Sequence, residues 1–310
     1  MQKWVDNVLE VVGRTPLIYL RRTSPAGGAQ IFAKLEAVNP GGSIKTRTAM
    51  GMIEAAEQAG LLKPDSVIVE VTSGNQGIAM AMIGAVKGYK VKIVMPENMS
   101  IERRKLIQAY GAEVILTPAG NDIGEAIETA LGVAYELAAR DSRVFMPKQF
   151  ENPANPSIHR TTTAQEILEQ LDRPIDALIA GFGTGGTITG IGEVLKAAYP
   201  NMKVFAAEPE NAAILAGGTI GHHVQQGIGD GLIPLIMNTD IVDDMVIVSD
   251  EDAIQAARNL ACAEGLLCGV SSGTNVCAAI RVAEKLGSGK TVVTILPDTG
   301  ERYLSTELYK

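Results

Sequence analysis

Short β-branched apolar runs alternate with helix-period segments along most of this chain, and that rhythm restricts the fold more than any other feature. The candidate strands are "VIVEV" (67–71), "KVKIVMP" (90–96), "AEVILT" (112–117), "IDALIAGF" (175–182), "KVFAAE" (203–208), "MVIVS" (245–249) and "TVVTILP" (291–297). Helical patterns fit between them. Over 187–198, Ile188, Ile191, Leu195 and Ala198 share one face, and at "SDED" Ser249 with Asp252 forms a capping pattern. Strand–helix alternation of this kind predicts an α/β fold: a mainly parallel sheet with helices on both faces. At 310 residues the chain suffices for one large or two medium domains. The Pro- and Asn-rich "ENPANPS" (151–157) is the best place for a crossing between two lobes.

Ligands of open α/β sheets sit beyond the carboxyl ends of strands, so the strand-to-helix turns carry the functional reading. "GFGTGGTITG" (181–190) follows a buried strand and opens a helix, which makes it an anion site through free N–H groups and the helix dipole. It also fits a dinucleotide fingerprint, Gly181-x-Gly183-x-x-Gly186, with Glu208 closing the next strand; a purely structural glycine turn is the plain alternative. "VTSGNQG" (71–77) offers Thr72, Ser73, Asn75 and Gln76 at a helix start, either to hold a carboxylate or simply to cap the helix. "CGVSSG" (268–273) precedes a helix expected to start near Thr274. Ser271 and Ser272 there are either caps or donors to a bound ring.

"NPGGSIKTRTAMG" (39–51) aims Lys45 out of a Gly-Ser turn into a helix. It is not a phosphate-binding P-loop, because Ile44 stands where that motif needs glycine. "GSGKT" (287–291) fails the same test: Glu284 occupies the first glycine position, and the segment precedes a strand.

A net charge of -8 disfavours a nucleic-acid partner. Three histidines, His159, His222 and His223, and the thiols Cys262, Cys268 and Cys277 without CxxC spacing argue against a metal site or a disulfide frame. The opening "MQKWVDNVLE" is polar, and runs such as "GIAMAMIGAV" are shorter than the roughly 20 residues a membrane span needs. A cytoplasmic location is the expectation. A lysine on a turn, a phosphate cradle, a carboxylate-binding turn and a serine at a third helix together suit pyridoxal 5'-phosphate, held by Lys45 as a Schiff base.

"GRTPLIYL", "NPGGSIKTR", "TSGNQG", "MSIERRKLIQAYGAEVILTP", "QFENPANPSIH", "GTGGTITG", "GIGDGLIP", "SSGTN" and "GERYLSTELY" resemble the cysteine synthase (O-acetylserine sulfhydrylase) and cystathionine β-synthase family, fold-type II pyridoxal-phosphate enzymes, nearly end to end. The resemblance implies a two-lobed, tryptophan synthase β-like fold. Its N-terminal domain would cover 1–148, with a mobile subdomain over 91–135, and its cofactor-phosphate domain 149–310; the first 38 residues would pack with the second lobe. Lys45 would be the Schiff-base lysine and the base for the substrate α-proton, and Asn75 would bond the ring hydroxyl. Thr72, Ser73, Asn75, Gln76 and Gln149 would hold the amino-acid carboxylate. Gly183, Thr184, Gly185, Gly186 and Thr187 would cradle the phosphate, and Ser271 would face the pyridine nitrogen, with Ser272 the alternative. The implied reaction is β-replacement through an aminoacrylate, making cysteine from O-acetylserine and sulfide. A homodimer and serine acetyltransferase are the implied partners.

Two positions depart from the family pattern. Thr46 stands where Asp is usual, and Asp230 in "GIGDGLIP" replaces a small apolar residue or tyrosine. Asp230 is either a general base that admits water or a thiol in place of sulfide, releasing hydrogen sulfide from cysteine, or a solvent-facing or turn-bonding residue. Cystathionine β-synthase-type activity is a further alternative within the family, and an NAD-dependent dehydrogenase is the alternative from another class.

Overall fold

The computed structural model describes residues 4–72, 74–120 and 123–310. Ser73, expected in the carboxylate turn, and residues 121 and 122, inside the expected mobile segment, lie outside the described residues. The strands are β1 (Leu17–Tyr19), β2 (Gln30–Leu35), β3 (Val67–Val71), β4 (Lys90–Pro96), β5 (Glu113–Thr117), β6 (Val144–Phe145), β7 (Ala177–Gly181), β8 (Lys203–Pro209), β9 (Asp244–Val248) and β10 (Thr291–Leu296). The helices are α1 (Lys45–Gln58), α2 (Asn75–Lys87), α3 (Ile101–Ala109), α4 (Ile123–Arg140), α5 (Ala154–Ile158), α6 (Ala164–Gln170), α7 (Gly186–Ala198), α8 (Asp250–Glu264) and α9 (Val270–Leu286). The chain folds as two compact units, Met1–Val12 with Asn39–Asn155, and Gly13–Val38 with Pro156–Lys310.

The first unit is built on a four-stranded sheet of order β5-β4-β3-β6, parallel throughout. Its central strand "VIVEV" is buried over Val67–Glu70, the pattern of a strand covered on both faces. On one face α4 presents Ala126, Ala130 and Ala134, four residues apart; Ala130 and Ala134 are small enough to pack against Val67, Val69 and Val94. On the other, Ile78, Met80 and Ile83 of α2 join Met52 and Ile53 of α1 over Ile68 and Ile93.

The second unit is built on a six-stranded sheet of order β1-β2-β10-β7-β8-β9, parallel except for β1 at the edge. Every residue of β10 is buried. Ile31, Ala177, Ile179, Val248, Val292 and Leu296 form the core with the apolar faces of α8 and α9, each fully buried large aliphatic contributing about 1.5–3 kcal/mol. α8 starts where the pattern placed it: Ser249 Oγ accepts from the Asp252 N–H, and Asp250, Glu251 and Asp252 lie at the positive end of the helix.

β2 is a strand that alternation did not show, because it carries a buried cation. Lys34 is fully enclosed and pairs with Glu166 at 2.7 Å, while donating to the Thr15 carbonyl at 2.6 Å and Gln170 Oε1 at 2.8 Å. Thr15 in turn donates its hydroxyl to the buried Glu36 at 2.6 Å. The charge is tolerated because the pair and its hydrogen bonds replace water.

Candidate active site

In the first unit the turn 39–44 is closed by the Gly42 N–H donating to the Asn39 carbonyl at 2.7 Å. Gly41 and Gly42 have φ of +78° and +72°, left-handed conformations that a side chain rarely adopts. The Thr46 hydroxyl reaches back to the Pro40 carbonyl at 2.5 Å, so this departure from the family's usual Asp serves the turn itself. Lys45 is the first residue of α1 and half-buried, carried out of the turn at the positive end of the helix.

The second turn follows β3 and opens α2 at Asn75. Thr72 Oγ1 accepts from the Gly74 N–H at 3.1 Å and fixes the turn. Gln76 is buried, and its amide lies close enough to Glu70 to favour that carboxylate slightly, yet neither amide atom reaches hydrogen-bond geometry with a described group. Glu70 itself is wholly buried, and loss of water pushes its carboxyl up to about 8 against the pull of the Val71 backbone N–H. Gln149 is buried in the 147–155 segment, where its carbonyl accepts from Asn155 Nδ2 at 2.8 Å.

In the second unit β7 runs into the turn 182–185 and α7 opens at Gly186. A Cβ on Gly183 would come within 2.6 Å of the Gly227 carbonyl, and one on Gly185 within 2.6 Å of Met237 Cβ, so these positions admit only glycine. The backbone there is left bare at a helix N-terminus, the arrangement that receives a phosphate. Thr184 is buried within the turn. Thr187 lies 3.4 Å from Nε2 of the buried His159, whose Nδ1 meets Thr163 at 2.9 Å, so this histidine braces the start of α7.

The third turn corrects the expectation for "CGVSSG": α9 begins at Val270, not near Thr274, and its N-cap Gly269 makes no side-chain cap bond. Ser271 and Ser272 therefore sit inside the first helical turn, and neither is the N-cap. One turn further on, Asn275 accepts from the Gly181 N–H at 2.7 Å and donates to the Ile295 carbonyl at 2.8 Å. Asn275 thereby ties α9 to β7, the strand that leads into the 182–185 turn. Ser271 lies four residues earlier, on the same helix face.

Asp230 belongs to a segment laid along the 182–185 turn. The Gly229 N–H donates to the Phe182 carbonyl at 3.1 Å, and Asp230 Oδ2 lies 2.9 Å from the point a Gly183 Cβ would occupy. His223 Nδ1 accepts from the Gln225 N–H at 3.2 Å, so its other nitrogen carries the proton and donates to the Gly229 carbonyl at 3.0 Å. The Gln225 amide bonds Thr274, the Val248 carbonyl and Asp250. Glu208 is not available to a ribose: its two oxygens accept from the Leu215 and Ala216 N–H groups at 2.8 and 3.0 Å. The dinucleotide fingerprint thus lacks its acid. No group of three His, Cys, Asp or Glu among the described residues could hold a metal ion, and no helix there is long and apolar enough to cross a membrane.

The fold and these turns are those of a pyridoxal-phosphate dependent enzyme: the family model of that description matches residues 8–298, and the chain belongs to that family. Pyridoxal 5'-phosphate is its cofactor, which the glycine cradle at 183–186 suits. Within the family the chain is cysteine synthase-like. The cysteine synthase of Staphylococcus aureus (strain N315) is 50% identical over 309 residues, 99% of this chain and 98% of that one. Two crystal structures are also close. An O-ureido-L-serine synthase is 43% identical with a TM-score of 0.92, covering 99% of this chain and 95% of that one. A hydrogen sulfide-producing enzyme from Fusobacterium nucleatum is 42% identical with a TM-score of 0.92, covering 97% and 100%.

Proposed function

We propose that this protein makes L-cysteine and acetate from O-acetyl-L-serine and sulfide by β-replacement. The observation that carries this reading is the identity with a cysteine synthase over essentially the whole of both chains. Bound pyridoxal phosphate supplies an electrophilic aldehyde and an electron-withdrawing ring. Lys45 would hold the cofactor through its amine, and that amine, when free, would take the proton from the substrate Cα. Thr72, Ser73, Asn75, Gln76 and Gln149 hold the substrate carboxylate, and Asn75 also bonds the cofactor ring; the start of α2 at Asn75 supports this. Gly183, Thr184, Gly185, Gly186 and Thr187 receive the phosphate. Ser271 gives a neutral hydroxyl to the ring nitrogen, favoured over Ser272 by its position on the face of Asn275.

A second reading is favoured by one contact. Asp230 Oδ2 lies beside Gly183, a placement that disfavours the anion HS⁻ by like-charge repulsion and suits a base for water or a thiol. On that reading the protein releases hydrogen sulfide from cysteine. Cytoplasmic location, a homodimer, an association with serine acetyltransferase, domains 1–148 and 149–310, and closure of 91–135 over the substrate belong to the same proposal and are supported by the family resemblance. Supplying O-acetylserine with sulfide, serine, and cysteine separately tests it. Cysteine formed from O-acetylserine supports the first reading, and sulfide released only from cysteine supports the second.

A further inference from the structure

The stretch 223–230 of the second unit, between β8 and β9, belongs to no strand or helix, yet it is anchored at its start. Gln225 is fully buried. Its amide nitrogen donates to the Val248 carbonyl at 3.0 Å and to Asp250 Oδ1 at 2.9 Å, and its oxygen accepts from the Thr274 hydroxyl at 2.7 Å. The Val224 N–H donates to Asp250 Oδ2 at 3.0 Å. Residues 224 and 225 are thereby tied to the start of α8 and to the early part of α9.

At its far end the stretch meets the 182–185 turn. The Gly229 N–H donates to the Phe182 carbonyl at 3.1 Å, and the Gly227 carbonyl lies 2.6 Å from the point a Gly183 Cβ would occupy. One side chain joins the two ends. His223 Nδ1 accepts from the Gln225 N–H at 3.2 Å, which leaves the ring proton on Nε2 to be donated to the Gly229 carbonyl at 3.0 Å. Gly229 is thus held through both of its backbone groups. Its φ is +69°, and a Cβ there would stand 3.0 Å from His223 Nε2 and 2.8 Å from Pro209 Cγ, so a glycine is what admits the ring.

We infer that His223 is a positioning residue for the cofactor: it carries the anchorage at Gln225 across the loop to Gly229 and so holds the 182–185 turn in the shape that receives the phosphate. This rests on the reading of that turn as the phosphate site. It adds a residue from outside the turn, acting through the backbone of Gly229 and Phe182. A turn fixed beforehand loses less conformational freedom when the phosphate binds, which favours retention of the cofactor.

The test follows the phosphorus NMR resonance of the holoenzyme and the rate of cofactor loss on dialysis. His223→Asn has an amide nitrogen one bond short of the Nε2 position. It is expected to move the resonance toward that of free pyridoxal phosphate and to speed cofactor loss about tenfold. His223→Gln has an amide nitrogen as many bonds from Cα as Nε2, and should recover most of the wild-type behaviour in both measurements. A His223→Asn protein with a lower melting temperature but wild-type resonance and retention overturns the inference, since His223 would then serve folding alone. So does a His223→Asn protein that does not fold beside a wild-type-like His223→Gln protein. A His223→Gln protein no better than His223→Asn shows that donation to Gly229 is not the link, and overturns it as well. Gly185→Ala, within the turn itself, is the reference. A phosphate resonance that ignores this change contradicts the reading of the turn as the phosphate site, and the inference falls with that reading.

Discussion

Asp230 and Gly183 touch: the carboxylate oxygen Oδ2 occupies space that any side chain at 183 would need. The contact places a carboxylate beside the turn proposed to receive the cofactor phosphate, and the Gly229–Phe182 backbone bond and the His223–Gly229 bond hold it there. If Asp230 is a general base, Asp230→Asn lowers sulfide release from cysteine about 10²-fold or more while the cofactor spectrum stays that of wild type. Unchanged turnover of cysteine would show that the carboxylate has no part in the chemistry.

Glu70 gives the protein a pH dependence of known sign. Its carboxyl ionises near 8 in the folded protein, above its ordinary 4.5, so between these values the unfolded chain releases a proton that the folded chain keeps. Stability is therefore fully present below 4.5 and falls as pH rises toward 8, at up to about 1.4 kcal/mol per pH unit. Urea unfolding at several pH values should show this decline in the wild type and a flatter profile in Glu70→Gln. Parallel profiles would remove Glu70 as the cause.

Much of this architecture was legible in the chain. "VIVEV" and "KVKIVMP" are β3 and β4 to the residue, because β-branched apolar residues dominate both and turn residues bound them. β1, β2 and β6 were not legible. β1 is a three-residue edge and β6 has only two residues, while β2 hides behind Lys34, whose charge is balanced by Glu166, distant in sequence. The start of α9 was misplaced because Gly273 reads as a breaker. It stands inside the helix since a Cβ there would collide with the Ala253 carbonyl of α8. The helix starts at Lys45 and after the 181–185 turn were visible from local pattern. Asn275 and His159 act across the fold on residues far away in sequence, and no local pattern announces that.

Asn275 links helix to strand by two bonds, to Gly181 and Ile295. Asn275→Leu leaves the buried Ile295 carbonyl without a partner, at about 1–3 kcal/mol, and removes the bond to the half-buried Gly181 N–H. Lower chemical stability together with weaker retention of pyridoxal phosphate on dialysis is expected. Wild-type cofactor retention would separate this tie from the phosphate turn.

Glu208 holds the Leu215 and Ala216 N–H groups instead of a ribose. Glu208→Ala should therefore cost only about 1–2 kcal/mol in unfolding experiments, because the half-buried Leu215 N–H and the exposed Ala216 N–H can turn to water. NAD should give no thermal shift with either protein. A shift with wild type that is lost in the variant would revive the dinucleotide reading.

The central claim is that Lys45 carries the cofactor, and one measurement meets it directly. The yellow holoenzyme is reduced with borohydride, digested and mapped by mass spectrometry. The phosphopyridoxyl group should appear on the peptide containing Lys45, and Lys45→Ala should be colourless. A phosphopyridoxyl group on another lysine, with Lys45 unmodified, would contradict the account.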